Sequence, residues 1–212
     1  MSGALMTVLV ARPWLTVDLA GTRRALSFAP YRSGDVVCER IMWREVRDAD
    51  LTPEFDAIAW LADEVGSTDV VAMLTSRNVE RLVHRRVEVG EVVAEAVVTV
   101  GLSNAERVGV RRRVPAGVGT INVAVAVSEG LNMAARIEAL SVAASARTAA
   151  VLEAAIEIES GLATGTGTDC IVVASPEGSR GFAGMHTDVG EAVGAVVFRA
   201  VSEGVARWLA ER

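Results

Sequence analysis

The sequence predicts a single domain of the α/β class, with mixed α+β character, in which a mixed sheet is flanked by helices. Three observations lead to this prediction. β-rich runs fill the first 50 residues, two long stretches have helical periodicity, and strand and helix patterns alternate only in the second half. A length of 212 residues with 51% hydrophobic content suffices for one sizeable core. We expect one domain over residues 1–212, β-rich over 1–50 and α/β over 51–212.

The N-terminal part is predicted to be a meander of strands followed by a helix. Residues 6–11, 15–19 and 24–28 are rich in β-forming side chains and are separated by turn residues. A helix is predicted over residues 53–65, because its apolar residues have helical spacing. Thr52 is its expected N-cap and Gly66 its stop signal.

The second half is predicted to alternate buried strands with two long helices. Continuous apolar runs indicate strands at residues 70–74, 96–100, 121–127 and 170–174. One helix should run from Asn132 to about residue 160, ended by Gly161 and broken near residues 141–145, and a second should cover residues 188–209. The apolar side of the first is expected to comprise Met133, Ile137, Leu140, Ala144, Val151, Leu152 and Ile156.

Composition excludes several classes of function. A formal net charge of −6 argues against a general nucleic-acid binder, and the basic run at residues 111–113 is interpreted as a solvated turn. The longest stretch without a charge has 15 residues, whereas spanning a bilayer takes about 20, so no membrane span is expected. No basic residue precedes the first apolar run, so we expect no secretory signal and a cytoplasmic protein. The two cysteines, Cys38 and Cys170, are expected to be reduced.

The residue inventory also limits the chemistry. The chain has no Lys, which excludes Schiff-base chemistry and a P-loop, and its glycine run at residues 164–169 lacks the dinucleotide fingerprint. With only His84 and His186, a three-histidine zinc site is impossible, and no ligand spacing indicates a mixed one. We therefore expect no protein-held metal.

Four glycine-containing polar motifs carry the remaining candidates, at residues 101–109, 117–122, 164–169 and 184–191. Each adjoins an apolar run or a helical stretch, which is where a site on a rigid scaffold is usually found. Ser103 with Glu106, and Asp188 with Glu191, have the spacing of capping boxes, which favours a structural role for Ser103 and Asp188.

Four side chains in these motifs have a functional and a structural interpretation. His186, near a helix N-terminus, is either a neutral general base or a histidine bonded to a backbone carbonyl. Asn104 and Asn122 are either turn amides or donors to an oxyanion. Asp169 is either an Asx turn or a carboxylate at the edge of the sheet. The residues alone indicate a polar pocket that is hydrolytic or ligand-binding.

The same motifs, in the same order, resemble the adenosylcobinamide amidohydrolase family of corrinoid salvage. The resemblance covers about residues 73–207 and rests on VVTVGLSNAERVG, GTIN, TGTGTDCIVVAS and GMHTDVGEAVG. It implies hydrolysis of the amide that joins the aminopropanol arm to the corrin ring of adenosylcobinamide, giving adenosylcobyric acid. The substrate brings its own cobalt, so no cofactor held by the protein is implied. The family usually has Thr-Glu-Ala-Lys in the long helix, where this chain has Ala144, Ser145, Ala146 and Arg147.

On this resemblance, the hypothesis for the site is that His186 or Asp169 activates water and that Asn104 and Asn122 stabilise the oxyanion. The substrate-binding residues are then Ser103, Thr120, Thr164, Gly165, Thr166, Gly167, Thr168 and Thr187. A covalent route through one of four hydroxyls, those of Ser103, Thr120, Thr166 and Thr168, is the alternative mechanism. The alternative functions are a non-catalytic corrinoid-binding or trafficking protein and an unrelated amide hydrolase. A homo-oligomer is also possible.

Overall fold

The computed structural model describes residues 3–47, 56–110 and 118–211. Strand β1 (Met6–Ala11) forms a hairpin with β2 (Trp14–Ser27), and β3 (Gly34–Glu45) pairs antiparallel with β2 along its length. The predicted meander is confirmed, but residues 15–19 and 24–28 belong to one strand. A shift of register between Asp18 and Arg23 lets β2 continue through the predicted turn.

Further strands follow a short helix. They are β4 (Val70–Thr75), β5 (Val83–Val89), β6 (Val92–Val100), β7 (Ala105–Glu106), β8 (Ile121–Val127), β9 (Glu157–Ile158), β10 (Gly161–Leu162), β11 (Gly165–Thr166) and β12 (Cys170–Ser175). The four predicted strands are confirmed. β5 was not predicted, because its polar run from His84 to Arg86 hides the apolar alternation.

The described strands build an eight-stranded mixed sheet in the order β4-β3-β2-β12-β8-β6-β5, with β1 paired to β2. β8 and β12 are parallel neighbours, and β6 runs antiparallel to β8. Two small ladders lie outside this sheet, β7 with β11 and β9 with β10. The mixed sheet confirms the predicted fold class.

The helices are α1 (Ala57–Val65), α2 (Met133–Glu153) and α3 (Asp188–Ala210). Gly66 ends α1 as predicted, since its φ of 57° is left-handed and its N–H bonds to the carbonyl of Ala62. Asp56 is the N-cap, accepting a hydrogen bond from Ala59 N. The predicted cap Thr52 and the start at residue 53 lie outside the described residues.

Helix α2 differs from its prediction in length and in orientation. Asn132 caps it as predicted, but the helix is unbroken and ends at Glu153, and Gly161 belongs to β10 instead of terminating it. Met133, Ile137 and Leu152 are exposed, whereas the buried face consists largely of alanines. The prediction of the apolar face was wrong for these three residues, because small side chains let α2 approach the sheet and α3 closely.

Both predicted capping boxes were wrong. Thr187 is the N-cap of α3, its hydroxyl accepting a hydrogen bond from Gly190 N at 3.0 Å, and Asp188 is the first helical residue. Ser103 precedes strand β7 and not a helix, and its side chain is exposed. In the second case the pairing of β7 with β11 replaces the helix that the local pattern favoured.

Alternate residues of the central strands face two different cores. Val98, Val123 and Val173 share one core with α2 and α3. Val97, Ala124 and Val172 share the other with side chains of β2, β3 and β4, among them the fully buried Trp43. The N-terminal half of the sheet therefore packs face to face with the other half, and α1 covers its outer side through Leu61. Among the described helices, none is both long and apolar enough to cross a membrane.

Candidate active site at the strand ends

The ends of three strands surround a cavity at one edge of the sheet. β8 and β12 begin there, and β4 ends there. This strand-end cavity has a volume of about 430 Å³. Its lining comprises Phe28, Pro30, Val46, Ala57, Ile58, Leu74, Thr75, Ser76, Val118, Gly119, Thr120, Asn122, Thr168, Asp169 and Cys170. Apolar side chains predominate, and the polar groups are concentrated at the starts of β8 and β12.

Two buried polar side chains, Thr120 and Asn122, line the cavity at the start of β8. Thr120 is 6% exposed and Asn122 is 1% exposed. The Thr120 hydroxyl oxygen lies 2.8 Å from the carbonyl oxygen of Thr168 and 3.1 Å from Asn122 Oδ1, so two acceptors compete for its hydrogen. Asn122 Nδ2 donates to the carbonyl oxygen of Leu74 at 2.7 Å. These bonds fix both side chains between β4, β8 and β12.

The carboxylate of Asp169 joins the two loops beside this pair. Its Oδ1 accepts from Ile121 N at 2.9 Å and from Thr166 Oγ1 at 2.5 Å. Its Oδ2 accepts from Thr166 N at 3.0 Å and forms an ion pair with Arg147 of α2. A carboxylate has about four acceptor positions. Each oxygen of Asp169 already has two partners, so this side chain is held as an anchor.

Asn104 lies on the adjoining loop, close to the start of β8. It is buried, and its Oδ1 has no hydrogen-bond partner among the described residues. A Cβ at Gly119 would lie 2.9 Å from that oxygen, 2.9 Å from Ser103 N and 3.0 Å from Gly101 O. Only glycine allows the loop before Thr120 to pack this closely against the 101–104 turn.

The cysteine in the cavity lining is not prepared for nucleophilic chemistry. Burial raises the pKa of the Cys170 thiol to about 12, and burial likewise raises the pKa of Cys38 to about 11. The thiolate is the nucleophilic form of cysteine. Both side chains are therefore neutral thiols at physiological pH, and hydroxyl groups are the nucleophiles to consider.

Residues 3–212 match the family model of adenosylcobinamide amidohydrolase, CbiZ. The chain belongs to this family. Among solved structures, it is similar to a β-aminopeptidase from Burkholderia sp., with 14% identity over 92% of this chain and 78% of that chain and a TM-score of 0.49. It is also similar to the PH0078 protein from Pyrococcus horikoshii OT3, with 10% identity over 95% and 83% of the two chains and a TM-score of 0.45. No curated protein gives a significant match.

The structure brings five of the twelve residues predicted for an amidohydrolase site to the cavity at this edge of the sheet. Asn104, Thr120, Asn122, Thr168 and Asp169 all lie at or beside the strand-end cavity. The tertiary structure therefore brings these five residues, which come from three separate segments of the chain, close together.

His186 lies at the other edge. It is exposed and lies just before Thr187, the N-cap of α3, and the first carboxylate of that helix, that of Asp188, lies beside Gly90 in the turn between β5 and β6. β6 runs from that turn to the cavity edge over nine residues, which separates the two edges by roughly 26 Å. The predicted partnership of His186 with the other site residues is thus not seen, and Thr187 is occupied in capping α3.

The other predicted binding residues hold the surrounding loops together. Thr164 Oγ1 accepts from Val108 N at 2.7 Å, and Thr168 Oγ1 donates to Gly119 O at 2.8 Å. Gly167 and Ser103 are exposed and do not line the cavity, and Gly165 lies directly under the Arg147 guanidinium.

Sequence reasoning missed the contributions of the N-terminal half. Phe28 and Ile58 at the mouth, and Thr75 and Ser76 at the end of β4, line the cavity. For Thr75 and Ser76 a signal existed, because two hydroxyl residues directly follow a buried apolar strand. Over the parts of the chain that the structure describes, no group of three or more His, Cys, Asp or Glu side chains is arranged to hold a metal ion.

Proposed function

We propose that this chain hydrolyses the amide joining the aminopropanol arm to the corrin ring of adenosylcobinamide, giving adenosylcobyric acid for cobamide salvage in the cytoplasm. The observation that carries the proposal is the buried Thr120–Asn122 pair in an apolar cavity of an amidohydrolase family member. Amide hydrolysis requires a nucleophile and a donor to the developing oxyanion. The pair supplies a hydroxyl and a carboxamide whose oxygens lie 3.1 Å apart.

The size of the cavity supports entry of the arm alone. A volume of about 430 Å³ lies at the lower end of the range of roughly 300–1,000 Å³ for small-molecule sites. A corrin ring with its adenosyl ligand is larger than a drug-sized molecule, so in this proposal it stays at the mouth. Phe28 and Ile58 there are 51% and 59% exposed, which offers apolar surface to the face of the macrocycle.

The contacts favour the covalent route over activated water. Both oxygens of Asp169 are occupied by hydrogen bonds, and His186 lies at the opposite edge. Among the hydroxyl candidates, Thr166 donates to Asp169, Thr168 donates to Gly119 O, and Ser103 is exposed away from the cavity. Of these four hydroxyls, that of Thr120 is the buried one that lines the cavity.

In the proposed reaction, Thr120 Oγ1 attacks the amide carbon and forms an ester as the carbon–nitrogen bond breaks. The hydroxyl proton passes to the departing nitrogen through water, and aminopropanol leaves as the amine. Water then hydrolyses the ester, which releases the carboxylic acid and restores the Thr120 hydroxyl. Asn122 Nδ2 has a second N–H besides the one bonded to Leu74, and this N–H stabilises the oxyanion.

The test is to incubate the purified protein with adenosylcobinamide and to follow adenosylcobyric acid by mass spectrometry. The wild type should form product, Thr120→Ala should lower turnover by roughly 10³-fold or more, and Thr120→Ser should retain a measurable part. Thr148→Ala on α2 is the matched control and should behave like the wild type.

Substrate binding is followed separately, through the change in corrin absorbance. Thr120→Ala should still bind, because the hydroxyl is assigned to bond formation. If the wild type binds the corrinoid but forms no product at any pH, the function is corrinoid binding without catalysis. A fully active Thr120→Ala variant would instead restore the water-attack mechanism.

A further inference from the structure

Arg147 lies outside the strand-end cavity but contacts Asp169, the side chain that holds the loops beside Thr120 and Asn122. Arg147 lies on α2, and no α2 residue lines the strand-end cavity. Its guanidinium nevertheless forms an ion pair with Asp169, with side-chain exposures of 17% and 6%. Both charges are therefore largely removed from water, where an ion pair is weakly screened.

Gly165 makes this approach possible. A Cβ at this position would overlap both the Arg147 guanidinium and the Asp169 carboxylate. A glycine in the β11 ladder is therefore required by close packing of the ion pair and not by backbone conformation. Gly165 and Arg147 form one unit with Asp169.

Asp169 connects the ion pair with Arg147 to the start of β8. Its Oδ1 accepts the hydrogen bond of Ile121 N, and Ile121 stands between Thr120 and Asn122 in the chain. Thr120 in turn is bonded to the carbonyl of Thr168, next to Asp169. The orientation of the carboxylate thus determines where the Thr120 hydroxyl and the Asn122 amide lie.

We propose that Arg147 is a positioning residue: by holding Asp169 over Gly165 it fixes the backbone of Ile121 and so aligns Thr120 and Asn122 for the reaction. This inference rests on the proposed function for its catalytic part. Its structural part, the fixing of Ile121, stands independently of the substrate. Arg147 does not touch the substrate and acts only through Asp169.

The first experiment measures the Ile121 anchor directly, by amide hydrogen exchange in NMR. Arg147→Gln removes the charge and keeps an amide donor on a shorter side chain, and Arg147→Lys keeps the charge. Ile121 N–H should exchange at least tenfold faster in the Gln variant, and Arg147→Lys should fall between it and the wild type. Exchange within β6 should be unchanged. Arg199→Ala, which removes an exposed arginine of α3, is the matched control and should match the wild type.

The second experiment separates positioning from binding by kinetics with adenosylcobinamide. A misplacement of about 1 Å in a reacting group lowers turnover by about 100-fold. Arg147→Gln should therefore lose about that factor in kcat with KM nearly unchanged, and Arg147→Lys should recover most of it. Gly165→Ala, which keeps every charge but displaces the guanidinium, should reproduce the Gln variant in both experiments.

The outcomes distinguish this inference from the proposed function. Wild-type exchange at Ile121 in both Arg147→Gln and Gly165→Ala would overturn the positioning role. If Arg147→Gln does not fold, the exchange rate of Ile121 N–H in Gly165→Ala and Arg147→Lys tests the positioning role instead. If the wild type shows no amidohydrolase activity but Ile121 exchange responds as expected, the proposed function fails while the anchor is supported.

Discussion

The two edges of the sheet both contain buried charges, but the space beside those charges differs. At the edge opposite the cavity, Arg136 is 2% exposed, and it contacts Asp35, Glu177 and the carbonyl of Leu131. Arg24 pairs with the same two carboxylates. At the cavity edge, Arg147 and Asp169 form a smaller network beside open space.

The packing around each network explains the difference. Near Arg136 the backbones of Gly130 and Gly178 are in contact, so the chain itself fills the space beside this network. At the cavity edge, the close contacts of Gly119 and Gly165 hold the loops around the strand-end cavity and leave that cavity open. A buried charge network therefore marks a site only where reactive groups beside it face a cavity, and otherwise it joins elements of the fold.

The largest effect in a comparison of the edges is expected from asparagine substitutions. Asn122→Ala and Asn104→Ala should each lower turnover by about 100-fold, typical for losing an oxyanion donor or its support. Asn132→Ala at the opposite edge removes the cap of α2, so it should cost about 1 kcal/mol of stability without changing turnover. Steady-state kinetics and melting curves check all three. Equal losses of turnover in Asn132→Ala and Asn122→Ala would contradict the assignment of the site to one edge.

The buried carboxylate of Glu95 lies away from the cavity, so its substitution is expected to change stability and not turnover. Glu95 on β6 accepts hydrogen bonds from Leu5 N, Met6 N and Arg86, and contacts His84. Glu95→Gln should lower the free energy of unfolding by about 1–3 kcal/mol at pH 7, because buried donors lose a charged acceptor. Turnover per folded molecule should not change.

The pH dependence of stability provides a second measure of Glu95. Burial raises the pKa of this carboxyl, but its hydrogen bonds from Leu5, Arg86 and His84 outweigh burial and keep the pKa below its usual value. A lowered folded-state pKa contributes stability that is present above about pH 4.3 and is lost as the pH falls through the folded value. Urea unfolding across this range should show a shallower acid-side loss in Glu95→Gln. An identical pH profile for the two proteins would exclude this contribution.

A smaller effect is expected for the histidine at the opposite edge. His186→Ala should leave kcat and KM unchanged, and its stability should stay within about 0.5 kcal/mol of the wild type, as for other surface positions. Kinetics at several pH values are the appropriate measurement. A loss comparable to that of Asn122→Ala would show that the 184–191 motif reaches the substrate, and would return the water-attack mechanism to consideration.

No effect is expected from removal of metal ions. The proposed reaction uses a hydroxyl and amide groups of the protein, and the cobalt belongs to the substrate. Exhaustive treatment with a chelator should leave the rate of adenosylcobyric acid formation unchanged. Loss of activity that zinc or another divalent ion restores would show that the site contains a metal.

Local sequence determined the elements whose signals were continuous. Apolar runs predicted β4, β8 and β12 within a residue or two, and Asn132 and Gly66 marked helix boundaries correctly. Predictions from local spacing alone were wrong where tertiary pairing competed. The Ser103–Glu106 spacing is that of a helix cap, but β11 pairs with β7 and draws the segment into a ladder. The helical periodicity beyond Glu153 similarly gives way to the pairing of β9 with β10.

By itself, the sequence determined the family, the fold class and the polar motifs of the site, because these depend on residue identity and on patterns within short segments. Only the tertiary structure decided which motifs meet. It placed Asn104, Thr120, Asn122 and Asp169 at one edge and His186 at the other, and it connected Arg147 to Asp169 across 22 positions of sequence. The physical reason is that strand direction and pairing determine which loop ends are adjacent, and these depend on contacts between residues distant in the chain.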